Sequence, residues 1–185
     1  MNDKDYDRLS NQVKYIWRTR DMLKAFGVGL LLGLVFAFPN NAHAFDENGD
    51  RFCLAQNIYF EAGNQPFIGR FAVANVTLNR VNDLQFPNTV CEVVYQSAAY
   101  KKSWTGEIIP KRGMCQFSWY CDGKSDEPKD SVTWIESIRI ADLALQSSNF
   151  DVTEGALWYH ADYIHPYWAD HLEYVVQIEN HIFYK

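Results

Sequence analysis

Long apolar runs, repeats, cations and paired metal-ligand motifs are all scarce in this chain of 185 residues. The longest uncharged apolar run is Ala25 to Phe38, 14 residues interrupted by Gly27, Gly29 and Gly33. A membrane-spanning helix needs roughly 20. Lys and Arg number 17 against 23 Asp and Glu, a net charge of -6. Nucleic-acid binding rests on clustered cations, so no nucleic-acid partner is expected, and a neutral or cationic one fits better. Neither CxxC nor HExxH occurs, which removes the commonest zinc spacings, and no metal is expected. Low-complexity tracts are missing too. With 48% hydrophobic and 16% aromatic residues, disordered, collagen-like and coiled-coil classes are excluded, and one sizeable core is affordable where two are not.

The N-terminus reads as an address. Residues 1 to 24 hold six Lys/Arg and four Asp, the apolar run follows, and Pro39 and Ala42-His43-Ala44 come after it. A basic leader, an apolar stretch and a small-x-small tripeptide make a secretory signal peptide, with cleavage expected after Ala44. The alternative is a signal anchor that tethers the chain to the inner membrane before release. Residues 45–185 form the expected exported domain, in the periplasm or the extracellular wall, with 11 cations against 19 anions and a net charge of -8. All four cysteines lie there, and an exported chain with an even count is most simply read as holding two disulfides. Of the three pairings, Cys115 with Cys121 closes a short loop and Cys53 with Cys91 ties two helices together, and this is the favoured set.

Helical periodicity dominates the first part of that domain. Leu54, Ala55, Ile58, Tyr59 and Ala62 define one stripe over 53–62. Phe67, Phe71, Ala74 and Leu78 define a second over 66–81, with Pro66 in the first turn. Thr89 and Glu92 read as a capping box opening a short helix through Tyr95. Residues 97–130, rich in Gly, Lys, Ser and Pro, read as a long functional loop forming one wall of a groove. Trp134, Ile138, Ala141 and Leu145 mark another helix, with Glu136 and Arg139 on its polar face. Beyond Asp151, residues 156–160, 174–178 and 181–184 are short β-prone runs, the last two joined by Glu179-Asn180. Helices first and a short antiparallel sheet last give an α+β domain.

Glu61 breaks the pattern of the first helix. At about 100° per residue it falls roughly 20° from Leu54 and 60° from Ile58, on or beside the buried stripe. A carboxyl there raises its pKa and holds its proton near neutral pH, as a general acid at a glycosidic oxygen must. The bland alternative is a Glu at a helix end paired with Arg70 or Arg80.

Residues 53–62, CLAQNIYFEA, resemble the opening motif of the cell wall hydrolase family typified by the spore-cortex-lytic enzymes. Further blocks resemble that family in order: 73–81 (VANVTLNRV), 86–91 (FPNTVC), 115–119 (CQFSW) with 121–123 (CDG), 155–161 (GALWYHA) and 180–184 (NHIFY). The resemblance implies a lysozyme-like, mainly helical domain acting on peptidoglycan glycan strands without a cofactor, as a monomer, with Glu61 as catalytic acid and base. The reaction it implies is lytic transglycosylation between N-acetylmuramic acid and N-acetylglucosamine. One carboxyl suffices for that, whereas a hydrolase usually needs a second. Family members commonly read EARGE, whereas this chain has Glu61-Ala62-Gly63-Asn64-Gln65, which lacks the Arg and the second acid. Asp122 is the remaining candidate partner, although Asp before Gly is often a turn residue.

Around that carboxyl, Gln116 and Ser118 are expected to hydrogen-bond N-acetyl and hydroxyl groups. Trp104, Trp119, Tyr159 and Trp168 are expected as sugar-stacking platforms, about half of them in contact with glycan. His160 is expected at the groove with Tyr159. Rival chemistries are a zinc peptidase or amidase built on His160, His165, His171 and His181, a Cys/His peptidase, and a wall-binding module that does not cut. Ligand spacing argues against the first, and disulfide pairing would disable the second.

Overall fold

The computed structural model describes residues 49–147 and 149–185. The leader over 1–44, cleaved or anchoring, lies outside the described residues. Helix α1 spans Asp50–Ala62, α2 Phe67–Asn82, α3 Val90–Val94 and α4 Ser131–Gln146. Strands β1 (Ser97–Lys101) and β2 (Ile108–Cys115) form a hairpin. Strands β3 (Trp158–Ala161), β4 (Tyr174–Ile178) and β5 (His181–Tyr184) form a second antiparallel sheet in the order β3-β5-β4. Short 3-10 turns cover Ser118–Cys121 and Tyr167–His171. The α+β reading therefore holds, with the C-terminal sheet where the β-prone runs placed it.

Helix α2 organises the interior because it is apolar on two sides, as a helix buried between layers must be. Phe71 and Ala74 join Leu54, Ile58, Val93, Val94, Phe117 and Ile140 in a cluster between the helices. Ile68, Ala72 and Val76 instead meet Ala156, Ile178 and Phe183 beneath the C-terminal sheet. Thr89 caps α3 by accepting from the Glu92 N–H at 3.3 Å, while its hydroxyl donates to Glu92 Oε2 at 2.9 Å. Pro66 stands one residue before α2 as its N-cap.

Two elements differ from the sequence pattern. Helix α4 buries Ser137, Ile140, Ala141 and Ala144, while Leu145 is exposed. The stripe is rotated toward small residues, which permit close helix approach. The span 97–130 is also not simply a loop, for it contains the β1–β2 hairpin. Its strands lie open on most of their length, so neither alternates apolar with polar residues, and the period that betrays a half-buried strand is lost.

Both expected disulfides are present, Cys53–Cys91 linking α1 to α3 and Cys115–Cys121 closing the base of the hairpin. Their sequence separations are 38 and 6. A cross-link stabilises mainly by restricting the unfolded chain, more for the longer loop. Replacing Cys53 and Cys91 together with Ser is expected to cost about 4 kcal/mol, and replacing Cys115 and Cys121 about 2 kcal/mol. Urea denaturation of the two variants checks that order.

Candidate active site

Glu61 occupies the last turn of α1, and everything around it follows from how that helix ends. Gly63 follows the helix directly, where a Cβ would stand 2.4 Å from the Tyr59 carbonyl oxygen and 3.1 Å from Thr133 Cγ2. A side chain there would press on the last turn of α1 and on Thr133 of α4. Arg70 of α2 then reaches back over the turn. It donates to the carbonyls of Gly63 at 2.6 Å and Gln65 at 2.8 Å, and pairs with Glu136 of α4 at 2.6 Å. Three helices are pinned at the point where the carboxyl is displayed, although the EARGE arginine is missing.

The Glu61 side chain stands at one side of a cleft of about 320 Å³. Phe60, Ser118, Trp119, Asp122, Lys124, Ser125 and Asp126 complete its lining. Tyr159 of β3 donates its hydroxyl to Glu61 Oε2 at 3.1 Å. Burial raises the carboxyl's pKa above its usual range, and the Tyr159 hydrogen bond and the Arg80 charge offset only part of that rise. The arrangement is what a general acid requires. Burial and the neighbouring carboxylate also push the Tyr159 phenol well above its ordinary value, so it stays a donor.

Arg80 is the functional neighbour that the residue pattern did not single out except as an ordinary pairing partner. Only 3% of it is exposed. Its guanidinium lies 5.2 Å from the ring centroids of both Phe86 and Phe117, and its Nε donates to the Leu157 carbonyl at 2.7 Å. With its amide oxygen turned toward the guanidinium, Gln116 accepts from both terminal nitrogens at 3.1 Å. Burial lowers the Arg80 pKa to about 10, while Tyr159 and Glu61 pull it back up. The signal available in the sequence was a cation close to the apolar positions of α2, Val76 and Val73 lying one and two turns before it.

The other expected residues divide by position. Ser118 and Trp119 line the cleft. Trp119 is a wall more than an open platform, since it is 7% exposed and stacks on Phe60 at 4.8 Å. Its indole N–H donates to Asn57 Oδ1 at 3.0 Å, and Asn57 in turn donates to Thr77 at 3.1 Å, which closes a buried polar relay between α1 and α2. Gln116 stands two residues before Ser118, outside the lining, and serves Arg80. Asp122 lies at the cleft but is also an Asx turn, accepting from the Lys124 N–H at 2.8 Å. That bond holds its carboxyl below the ordinary range. Trp104 is exposed at the far end of the hairpin, outside the lining residues.

His160 and Trp168 stand elsewhere for a simple reason. Successive side chains of a strand point to opposite faces, so Tyr159 meets His181 and Phe183 while His160 turns the other way, onto Tyr184 and Trp168. Both imidazole nitrogens of His160 find partners within the fold, the Ala161 carbonyl at 2.9 Å and the Tyr184 hydroxyl at 3.0 Å. His160 thus serves the sheet rather than the groove. Among the described residues no three His, Cys, Asp or Glu side chains gather to hold a metal ion. Every described cysteine is in a disulfide, leaving no thiol nucleophile.

A proton-holding carboxyl at the seam between a helical layer and a small sheet places the domain among lysozyme-like folds. The chain belongs to the cell wall hydrolase family, whose model matches residues 64–184. That match begins after Glu61, so the role of this carboxyl rests on the geometry above. The chain is similar to the spore cortex-lytic enzyme of Bacillus subtilis, 41% identical over 61 residues, which cover 33% of this chain and 20% of that protein. It is likewise similar to the spore cortex-lytic enzyme of Bacillus cereus, 36% identical over 69 residues, 37% of this chain and 26% of that one. The matched stretches thus span about a fifth to a quarter of these curated relatives. Among solved structures, the catalytic domain of the germination-specific lytic transglycosylase SleB from Bacillus anthracis superimposes with a TM-score of 0.55 and 26% identity, covering 80% of this chain and 99% of that one. The Bacillus cereus SleB catalytic domain gives 0.53 and 24%, covering 77% and 94%.

The raised pKa carries a cost that can be measured. Because the folded value for Glu61 lies above the unfolded one, ionising it in the fold destabilises the protein as pH rises through the window between the two. Below the unfolded value the carboxyl is protonated in both states and the penalty vanishes. Glu61→Gln is therefore expected to match wild type in acid and to be more stable at pH values above the folded pKa. Urea unfolding at a series of pH values reads this directly.

Proposed function

We propose that this chain is a peptidoglycan lytic transglycosylase that cleaves between N-acetylmuramic acid and N-acetylglucosamine, with Glu61 as the catalytic acid and base. The observation that carries the reading is the Glu61 carboxyl, raised in pKa by burial, hydrogen-bonded by Tyr159 and facing a cleft. The likeness to a lytic transglycosylase catalytic domain over 80% of the chain supports it.

The chemistry follows from one proton. Protonated Glu61 gives its proton to the glycosidic oxygen as the bond to the muramoyl anomeric carbon breaks. The resulting carboxylate is stabilised by the Tyr159 hydroxyl and the Arg80 charge, which favour the ionised form that burial opposes. It then takes the proton of the muramoyl 6-hydroxyl, whose oxygen closes on the anomeric carbon as a 1,6-anhydro ring. Glu61 ends protonated as it began, no water is consumed, and no cofactor enters. Ser118 and Trp119 supply a hydroxyl and an aromatic edge along the cleft. Asp122, ionised and engaged with Lys124, has no step to perform.

Export through residues 1–44 would deliver the domain to the periplasm or extracellular wall as a monomer, tethered to the inner membrane until cleaved. The same chemistry serves remodelling of a cell's own wall or phage-type lysis. Cysteine and zinc peptidase routes fall behind, since the thiols are paired and, among the described residues, no three His, Cys, Asp or Glu side chains gather as ligands.

Mass spectrometry of muropeptides after digestion tests the proposal, with anhydro-muramoyl ends expected. Glu61→Gln should lower turnover by roughly 10²- to 10⁴-fold, the usual worth of a general acid and base, while glycan binding persists. Asp122→Asn should keep the anhydro product. Water-added reducing ends would indicate hydrolysis, and freed stem peptides would end the glycosidase reading. Tyr159→Phe removes a bond that lowers the Glu61 pKa, so that pKa rises further and the alkaline limb of kcat/KM is expected to move to higher pH.

A further inference from the structure

The cations of this acidic chain are unevenly spent. Arg51, Arg70, Lys102 and Lys124 are in ion pairs, and Arg80 is buried. The β1–β2 hairpin holds Lys101, Lys102, Lys111 and Arg112 against a single carboxylate, Glu107. Lys102 pairs with Glu107 at 2.9 Å. That leaves Lys101, Lys111 and Arg112 exposed, each without an ion pair among the described residues. Lys111 and Arg112 sit where the register jumps from Ala99↔Pro110 to Ser97↔Cys115, so β2 carries extra residues there. Gly113 turns through φ +69° in that bulge, a device that re-aims neighbouring side chains.

The bulge is rooted in the wall of the cleft. Cys115, at the end of β2, is bonded to Cys121, and the chain runs on through Gln116 to Ser118 and Trp119 of the lining. The Gln116 N–H donates to the Gln96 carbonyl at 2.8 Å, which closes the base of the hairpin. The Arg112 charge acts on the carboxyl of Asp122, itself a lining residue. Beyond it the hairpin offers exposed Tyr100 and Trp104, the latter 79% exposed.

In a stem-bearing strand the sugars themselves are neutral, because each muramoyl lactyl carboxyl is tied up as the amide to its stem, and they give such cations nothing to meet. The peptide stems carried by muramoyl residues bear free carboxylates. We propose that Lys101, Lys111 and Arg112 form a binding surface for the acidic peptide stem of the glycan strand lying in the cleft, with Tyr100 and Trp104 flanking it. The proposal rests on the peptidoglycan reading above and adds to it a preference for strands whose stems keep their carboxylates free. Continuity between the bulge and the cleft wall favours this occupant over an anionic lipid surface, which would need no such connection.

The test uses the full chain on two substrates, glycan strands with stems intact and the same strands with their stem carboxylates converted to amides. Wild type is expected to show a KM about tenfold lower on the intact strands, the sum of three exposed charge pairs. That gap should shrink as salt is raised. The combined variant Lys101→Gln, Lys111→Gln, Arg112→Gln should close the gap by raising KM on intact strands. Equal KM for the two substrates in wild type overturns the proposal, as does a variant whose loss is as large on amidated strands. It is overturned too if wild type, but not the variant, binds phosphatidylglycerol vesicles while the strand preference survives. Anhydro ends present with no gap defeat this proposal alone, whereas anhydro ends missing from both digests defeat the transglycosylase reading as well.

Discussion

A half-buried carboxyl at the end of a helix, facing a cleft, is the constraint on which the rest of this domain depends. Left alone, such a group would stay neutral and could act only once, as an acid. The proposed reaction asks it to act again as a base, for which it must ionise in the same place, and burial opposes that. The fold answers with two groups of different kinds, a phenol that hydrogen-bonds the carboxylate directly and a guanidinium that acts by charge. Burial raises the pKa and these two groups lower it, so the carboxyl can both release and recover a proton.

The same requirement explains why the site lies at a seam. Glu61 comes from α1, Arg80 from α2 and Tyr159 from β3, and no single element could present all three. Helix α2 makes the convergence possible because it is buried against the helices through Phe71 and Ala74 and against the sheet through Ala72 and Val76. A charged residue near its C-terminus must then lie between the two layers. The cost of burying Arg80 is met by the Leu157 carbonyl and by the ring faces of Phe86 and Phe117. The arginine thereby joins α2, the turn before α3 and the segment entering β3.

How much of this could be read from residues alone depended on whether a signal was local. Helices α1, α2 and α4 announce themselves because each buries a stripe, and Thr89 with Glu92 marks the start of α3 through a contact three residues apart. The β1–β2 hairpin does not, because exposed strands lose the alternation that burial imposes. Glu61 stood out as a polar intrusion on an apolar stripe. Arg80 was harder to read, because among the groups that accommodate it Phe117 and Leu157 are distant in the chain. The roles of Tyr159 and His160 are separated only by strand parity. Neighbours in sequence, they face opposite sides of β3, and no composition argument distinguishes them.

Parity also shows why the sheet is small and still sufficient. Four residues of β3 pair with four of β5, enough to fix which face each side chain occupies. A slip of one residue would turn Tyr159 outward and His160 toward Glu61. The register is therefore as much a part of the site as the carboxyl itself. It is set on one side by Phe183, which is fully buried beneath α2. On the other it is set by the His160 hydrogen bond to Tyr184. The imidazole that the motif suggested for the groove acts instead from behind the sheet, holding the strand that delivers the phenol.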